Sequence, residues 1–359
     1  MYFWMHQILT EFYRNYMGKY IGNAFLFFCL TLTACNQNKA KVTDPAEQRR
    51  KDSIERVKQA EEAERQRPRT ADDIDLKKEL SYDQHTLEET YDYEDTTRQF
   101  QLDKIRDYLA LVENFQREKA SYVVLENRKN KHGEAPLVKN FHRNEYKLVS
   151  DSLGTERYEG IPLYLPGDVE APTIYGRDGA LAKLRSSDTI DMVKVEGVSF
   201  QGEFEVPRRY IKPIGDSVTF YHVAFPDVTN QNILTAERVG DCKWVIRSMN
   251  PATTGRHKPP YAHDTPTGIF VVQEKKPKMF YYRDGTTSIE GYAPYASRFT
   301  NGAYIHGVPV NNPKGKIVEY SWSLGTTPRS HMCVRNASSH AKFVYDWAKK
   351  YNSLVIVIN

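Results

Sequence analysis

Residues 330–335 read Ser-His-Met-Cys-Val-Arg. They lie between Tyr-Ile-His-Gly at 304–307 and an apolar close, Leu-Val-Ile-Val-Ile, at 354–358. A thiol attacks an acyl carbon only as the thiolate, so Cys333 needs a base or a cation beside it. His331 is two residues away, and in an extended chain positions i and i+2 share a face. His306 arrives from a separate strand, and Arg335 carries a planar guanidinium suited to a carboxylate. A solitary cysteine near a C-terminus is commonly just a small buried hydrophobe. Two histidines and an arginine around this one argue for chemistry.

Working outward, residues 341–350 read as a helix ahead of the closing strand. Upstream, Phe-Tyr-His-Val-Ala-Phe (220–225) is followed by Asn230-Gln231-Asn232, then by ILTAERV (233–239) and KWVIRSM (243–249). Alternating β-type residues around turn residues predict a hairpin here. Thr253-Thr254-Gly255 comes next, then Asp264-Thr265-Pro266-Thr267-Gly268-Ile269-Phe270.

These blocks, in this order, resemble the L,D-transpeptidase family with its YkuD-type catalytic domain, over residues 214–359. The markers are the internal Gln231, the Thr-Gly step, TPTGxF, a His followed by Gly, and S-H-x-C-x-R. The resemblance implies a mainly β fold with some α, an antiparallel β-sandwich or cradle closed by one C-terminal helix. It implies that His306 is the base paired with Cys333 and that the Gly307 carbonyl orients its imidazole, a nucleophile–base–orienter triad. His331 would support the thiolate and line the oxyanion site, with Ser330 fixing it. Backbone N–H groups around Met332 and Cys333 would stabilise the oxyanion, and Arg335 would bind or organise a substrate carboxylate.

The implied reaction is a two-step acyl transfer on peptidoglycan stem peptides. Cys333 expels D-Ala from a tetrapeptide stem as a thioester forms, and an amine then resolves the thioester. With water as acceptor the same site is a carboxypeptidase. A hydrolase of stem-peptide or protein–peptidoglycan bonds would also use it. A non-catalytic peptidoglycan-binding lipoprotein is the reading from another class; loss of Cys333 or His306 would mark it, and both are present. Two departures stand out. The family usually has Gly where Met332 stands, and Gly tolerates a backbone that Met does not. The segment between His306 and Ser330, around NNPKGKIVEY, is longer than usual and reads as a loop beside the cleft. Tyr292 and Tyr295 read as members of a lid, and His222, His257 and His263 as surface or lid histidines.

The other end of the chain carries a different signal. From Met17, a plausible second start, Lys19 leads into an apolar run at 21–34 that is short for a bilayer span. It ends Leu32-Thr33-Ala34-Cys35, with polar Asn-Gln-Asn-Lys after it. This resembles the lipobox of bacterial lipoproteins and implies lipidation at Cys35, hence a membrane anchor facing the periplasm. Asn36, rather than Asp, points to the outer membrane more than the inner.

Between the two ends, residues 36–95 are read as a charged stalk or linker, too poor in aliphatic residues to offset their ordering entropy by burial. Residues 96–120 are read as an amphipathic helix, because Leu102, Ile105, Leu109, Val112 and Phe115 recur at helical spacing. Residues 121–213 break into short β-type runs. Their end, GEFEVPRRYIKPI, resembles the last strands of SH3-like modules; the other reading is a β-extension packed on the catalytic domain.

Of the 359 residues, 24 are Tyr, which suits a β-rich fold, and the net charge of +4 is too mild to name a partner. No basic block interleaved with aromatics suggests nucleic acid. The four cysteines, Cys29, Cys35, Cys242 and Cys333, leave two thiols after lipidation. A bridge between them would silence the nucleophile, so no disulfide is expected. No cluster has zinc spacing, so no metal and no cofactor are expected. The oligomeric state is left open.

Overall fold

The computed structural model describes residues 45–133, 136–138, 142–143, 149–150 and 159–359. The signal segment 1–35, with Cys35, lies outside the described residues. The chain divides into two compact units, Met1–Arg67 and Pro68–Asn359.

Of the first unit, one element is described, helix α1 (Pro45–Gln66). Its sequence alternates charges without an apolar stripe, and Ile54 and Val57 stay about half exposed. Pairs one turn apart, Glu47 with Lys51 and Glu64 with Arg67, both at 2.8 Å, run along it. Such pairs contribute only tenths of a kcal/mol each, roughly 0.2–0.5. Among the described residues no helix is long and apolar enough to cross a membrane.

The second unit runs β1 (Asp75–Lys78), β2 (Thr90–Tyr93), β3 (Thr96–Gln99), α2 (Leu102–Arg117), β4 (Ser121–Leu125). It continues with β5 (His142–Arg143), β6 (Val149–Ser150), β7 (Ile161–Leu163), β8 (Ile174–Gly176), β9 (Leu181–Leu184), β10 (Met192–Gly197), β11 (Glu203–Pro207) and β12 (Ile211–Asp216). The rest is β13 (His222–Asp227), β14 (Asn232–Gly240), β15 (Lys243–Pro251), β16 (Gly268–Val271), β17 (Glu274–Tyr282), β18 (Ile289–Thr300), β19 (Ala303–His306), β20 (Val334–Arg335), α3 (Ser338–Trp347) and β21 (Ser353–Val357).

A six-stranded sheet, β1-β15-β14-β13-β21-β16, forms the centre. Both of its faces are covered, which is why β21 reads as an unbroken apolar run. Alternation sends Val223, Phe225, Leu234, Ile269, Leu354 and Ile356 to one face, against Ile105, Leu109, Val112 and Phe115 of α2. Ala224, Ile233, Phe270, Val355 and Val357 face the other way, onto Phe299, Ala303, Ile305 and Val334 of a four-stranded sheet, β17-β18-β19-β20, and onto Val344 of α3. The fold is therefore mainly β, with α2 on one face of the six-stranded sheet and the four-stranded sheet and α3 on the other. Glu113, fully buried on α2, accepts hydrogen bonds from Arg238 Nε and Nη2, both at 2.8 Å, and from Trp244 Nε1 at 2.9 Å. This bidentate pair fixes how the helix sits on β14 and β15; removing one partner of such a buried pair is strongly destabilising.

Three boundaries differ from the sequence reading. The stalk expected through residue 95 gives way earlier: β1 pairs in parallel with β15 as the edge strand of the sheet, and Ile74 is buried in the core, with Leu76, Leu80 and Leu87 packed against it. An edge strand is held by backbone hydrogen bonds, so sparse aliphatic residues suffice. The helix expected over 96–120 starts later, because Thr96–Gln99 pairs with Thr90–Tyr93 as a hairpin; the apolar stripe lies wholly within α2. The boundary at 213/214 falls inside β12, which pairs with β4. Finally, the five-stranded sheet of this region, β11-β10-β9-β4-β12, shares a core with the six-stranded sheet. One face forms its own core around Val123, Leu125, Leu163, Val195 and Val206, while Tyr122, Val124 and Leu181 enter the core shared with α2 and β13.

Candidate active site

The segment that carries Cys333 is held from two sides. On one, β20 pairs in parallel with β19, Ile305 opposite Val334 and His306 opposite Arg335. Side chains alternate along a strand, so Tyr304 and His306 share a face with Cys333 and Arg335. On the other side, the chain after β15 runs alongside. Thr253 and Arg335 exchange backbone hydrogen bonds at 2.9 and 2.8 Å, and the Ser330 N–H donates to Thr254 O at 3.0 Å.

The sequence blocks that mark the family converge on this segment. Gln231 Oε1 accepts the Thr254 N–H at 2.9 Å, while its amide donates to Thr254 Oγ1 and to Val228 O, both at 2.7 Å. The Gly255 N–H donates to Thr265 Oγ1 at 2.8 Å, and that hydroxyl donates to Met332 O at 2.7 Å. A Cβ at Gly255 would lie 2.3 Å from His263 O and 2.8 Å from Met332 Cα. The glycine is there so that the Cys333 loop can come this close.

Cys333 is 9% exposed, in contact with Ala296, Tyr304 and Met279. Its thiol donates to Gly302 O at 3.6 Å. Burial pushes its pKa up to about 11, against the opposing influence of the Tyr304 backbone N–H and the Arg335 charge. His306 is buried, and its Nδ1 lies 2.6 Å from Gly307 O. A carbonyl can only accept, so Nδ1 carries the proton and Nε2 is left as the basic nitrogen. Burial pulls the imidazole down to about 4, with Arg335 adding to the effect and the Gly307 bond opposing it. At neutral pH the resting pair is thus thiol and neutral imidazole. Gly307 itself has no room for a side chain: a Cβ would lie 2.6 Å from Ser338 Oγ and 2.8 Å from Pro294 Cγ.

Arg335 is a largely buried guanidinium whose Nε has no hydrogen-bond partner. Burial lowers its pKa, and the charges that act on it are Cys333, Tyr281 and Arg256. None of these is a carboxylate, and among the described residues no acidic group forms an ion pair with Arg335.

Three expected roles change. Ser330 does not hold the His331 ring; its hydroxyl donates to Cys333 O and accepts the Met332 N–H at 3.2 Å. That bond also engages the Met332 N–H expected among the oxyanion donors. His331 is exposed, and its Nε2 lies 3.1 Å from Asp284 Oδ2 in the β17–β18 connection. The strand begins at Val334, so its alternation does not extend back to His331. Met332 needs no glycine-like backbone, for it is not among the residues with positive φ. Its side chain is half-buried against the core beneath α3.

Tyr292 is buried within β18 and donates to Gly315 O at 2.8 Å, and Tyr295 lies in the same strand, so neither forms a lid. The long connection after His306 is tied to the start of α3, where Glu319 accepts the Ser339 N–H at 3.0 Å. His222 packs edge-on to Trp347, while His257 and His263 are in an exposed loop or only partly covered. Both Cys242 and Cys333 are free thiols. Glu113, Asp241 and Cys242 place ligand atoms within 4.8 Å of one another. The Glu113 oxygens are already taken by Arg238 and Trp244, so this group has little capacity left for an ion.

Thr265, Asp284, Gly302 and Tyr304 were missed as site residues. Thr265 lay within a quoted block, but a hydroxyl that bridges two backbone groups leaves no trace in spacing.

A buried cysteine and a histidine with a fixed tautomer thus lie on one face of the β19–β20 pair, between packed β-sheets. Residues 223–357 match the family model of the L,D-transpeptidase catalytic domain, YkuD. Among solved structures, an L,D-transpeptidase from Mycobacterium smegmatis is 18% identical, with 50% of this chain and 82% of that chain covered and a TM-score of 0.31. An L,D-transpeptidase from Mycobacterium tuberculosis is 18% identical, with 51% and 92% covered and a TM-score of 0.32. A fused Zn-dependent amidase/peptidase/peptidoglycan-binding domain-containing protein from Clostridium acetobutylicum is 18% identical over 39% of this chain, with a TM-score of 0.28; the chain spans about half of it, 52%. No curated protein matches the chain.

Thr265→Val keeps the side-chain shape and strands the Gly255 N–H and the Met332 carbonyl. Leaving a buried polar group unsatisfied costs about 1–3 kcal/mol. Urea denaturation should show a loss of that order with an unaltered far-UV spectrum. An unchanged midpoint would remove Thr265 from the scaffold of the site.

Proposed function

We propose that the chain is a peptidoglycan L,D-transpeptidase with Cys333 as nucleophile and His306 as general base. The observation that carries this reading is the pairing of β19 with β20 inside a segment that matches the family. It puts a thiol, a tautomer-fixed imidazole and a guanidinium on one face.

The steps follow from the resting protonation. The substrate carbonyl between an L-centre and a D-residue approaches Cys333 while a substrate carboxylate pairs with Arg335, whose buried charge has no carboxylate partner among the described residues. His306 Nε2 takes the thiol proton as the sulfur–carbon bond forms, so no free thiolate has to persist in the buried site. The Cys333 N–H receives the negative oxygen. The tetrahedral species collapses, the carbon–nitrogen bond breaks, and the departing D-Ala amine takes the proton from His306. An acceptor amine then attacks the thioester, gives its proton to His306, and the thiol is restored as the sulfur–carbon bond breaks.

The full-length protein should be incubated with a disaccharide tetrapeptide and followed by mass spectrometry. A thioester adduct on Cys333, release of D-Ala and cross-linked product are expected, all absent in Cys333→Ala. His306→Ala should slow acylation by roughly 10²–10⁴. Release of D-Ala without cross-linking would make the enzyme a carboxypeptidase; adduct formation that survives Cys333→Ala would refute the assignment of the nucleophile.

The chain is further proposed to act from a lipid anchor at Cys35, facing the periplasm. The support is the Leu-Thr-Ala-Cys run at 32–35 and the polar residues behind it. A clickable fatty acid should label the wild-type protein in cells and not Cys35→Ala. Absence of label on the wild type would exclude the anchor.

A further inference from the structure

Asp178 is fully buried, yet it belongs to the β-rich region at 121–216 and not to the strands that carry the site. It stands in the Arg177-Asp178-Gly179 turn between β8 and β9. Its Oδ1 accepts the backbone N–H groups of Asn127 at 2.9 Å and Arg128 at 3.1 Å, just past β4. Its Oδ2 accepts the Asn301 N–H at 3.0 Å, Gln273 Nε2 at 3.1 Å and Arg298 Nη1. One carboxylate therefore gathers five donors from two sheets. The neighbouring glycine confirms how close the contact is: Gly179 has φ +88°, and a Cβ there would lie 2.0 Å from Phe299 O.

What Asp178 holds is the turn that leads into the nucleophile's strand. Asn301, at φ +38°, links β18 to β19 in a left-handed conformation that asparagine tolerates better than most residues. The next residue, Gly302, supplies the carbonyl that accepts the Cys333 thiol, and Tyr304 supplies the N–H that faces the sulfur. The charges around Asp178 are Arg298 and Arg128 on one side and Glu159 and Glu274 on the other.

We propose that Asp178 is a positioning residue for Cys333: by binding the Asn301 N–H it fixes the turn whose Gly302 carbonyl holds the thiol, so the β-rich region sets the geometry of the nucleophile. This rests on Cys333 as the reacting group. Alkylation by a small reagent reads the sulfur whatever the substrate, so failure here is distinguishable from failure of the proposed reaction.

Asp178→Asn replaces one of the two acceptor oxygens by an NH2 that can only donate among five donors, which weakens the hold on Asn301 and relaxes the turn. The neutral thiol then loses its carbonyl acceptor, and Arg298 is left with less neutralising charge. Both changes favour the thiolate. The other groups on this face stay in place: Arg335 from β20, Tyr304 and His306 from β19, and the uncharged Ala296 and Met279 packed around Cys333 from β18 and β17.

The test is the rate of iodoacetamide alkylation against pH in the full-length protein, read separately at each cysteine by peptide mass spectrometry. In Asp178→Asn the Cys333 profile should move down by about one pH unit, a roughly tenfold faster reaction below its midpoint. Cys242, on the far β14–β15 hairpin, should keep the wild-type profile and serves as internal reference. Asp178→Glu, which retains the charge but displaces the carboxylate, should move the profile the same way by less. It also decides the matter if the Asn variant does not fold. A lowered melting temperature with a Cys333 profile superimposed on wild type in the folded variant would make Asp178 structural only and overturn the proposal.

Discussion

Two residues of parallel pairing, Val334 and Arg335 against Ile305 and His306, are what the rest of the site depends on. The ladder is short, but its register decides which side chains meet. A slip of one residue would turn Cys333 and Arg335 to the opposite face, into the core under α3, and leave His306 without its partners. So short a strand cannot hold that register alone. It is fixed by its second neighbour, the chain at 253–256, which exchanges backbone bonds with Ser330 and Arg335.

The requirement that buried polar groups be satisfied then explains the spread of the family's blocks along the sequence. Gln231 occupies the Thr254 amide, Thr265 joins Gly255 to Met332, and Ser330 closes the Cys333 turn on itself. These residues touch no reacting atom. They complete the hydrogen bonds of backbone that cannot reach water, and so keep a thiol and an imidazole in one arrangement. Burial then sets the electrostatics, pushing thiol and imidazole toward their neutral forms and leaving Arg335 as the charge beside them.

Much of this was legible in the sequence, where side-chain pattern is the signal. The stripe from Leu102 to Phe115, the strands at 222–251 and the apolar close all follow from periodicity. Cys333, His306 and Arg335 stood out as candidates because their chemistry is scarce, and β19 and β20 bring them to one face. What escaped notice is held by backbone. Residues 75–78 add an edge strand with little apolar content, and 96–99 pair as a hairpin although they flank a strong helical stripe. His331 looked like a site residue because it is two positions from Cys333, but the strand does not begin until Val334, and its ring reaches Asp284 instead. Ser330 was expected to serve His331, yet its hydroxyl's partners are backbone groups of Met332 and Cys333, which no residue-type pattern reveals. The role of Asp178 depends on a contact between segments more than a hundred residues apart.

The central claim is that the catalytic pair rests neutral, with His306 protonated at Nδ1 alone and ready to take the thiol proton. Nitrogen NMR of the histidine-labelled wild-type protein across pH tests this most directly. The account predicts a neutral His306 ring with its proton on Nδ1 at pH 7, gaining a second proton only as the pH falls toward about 4. An imidazolium at pH 7, the signature of a resting thiolate–imidazolium pair, would contradict it.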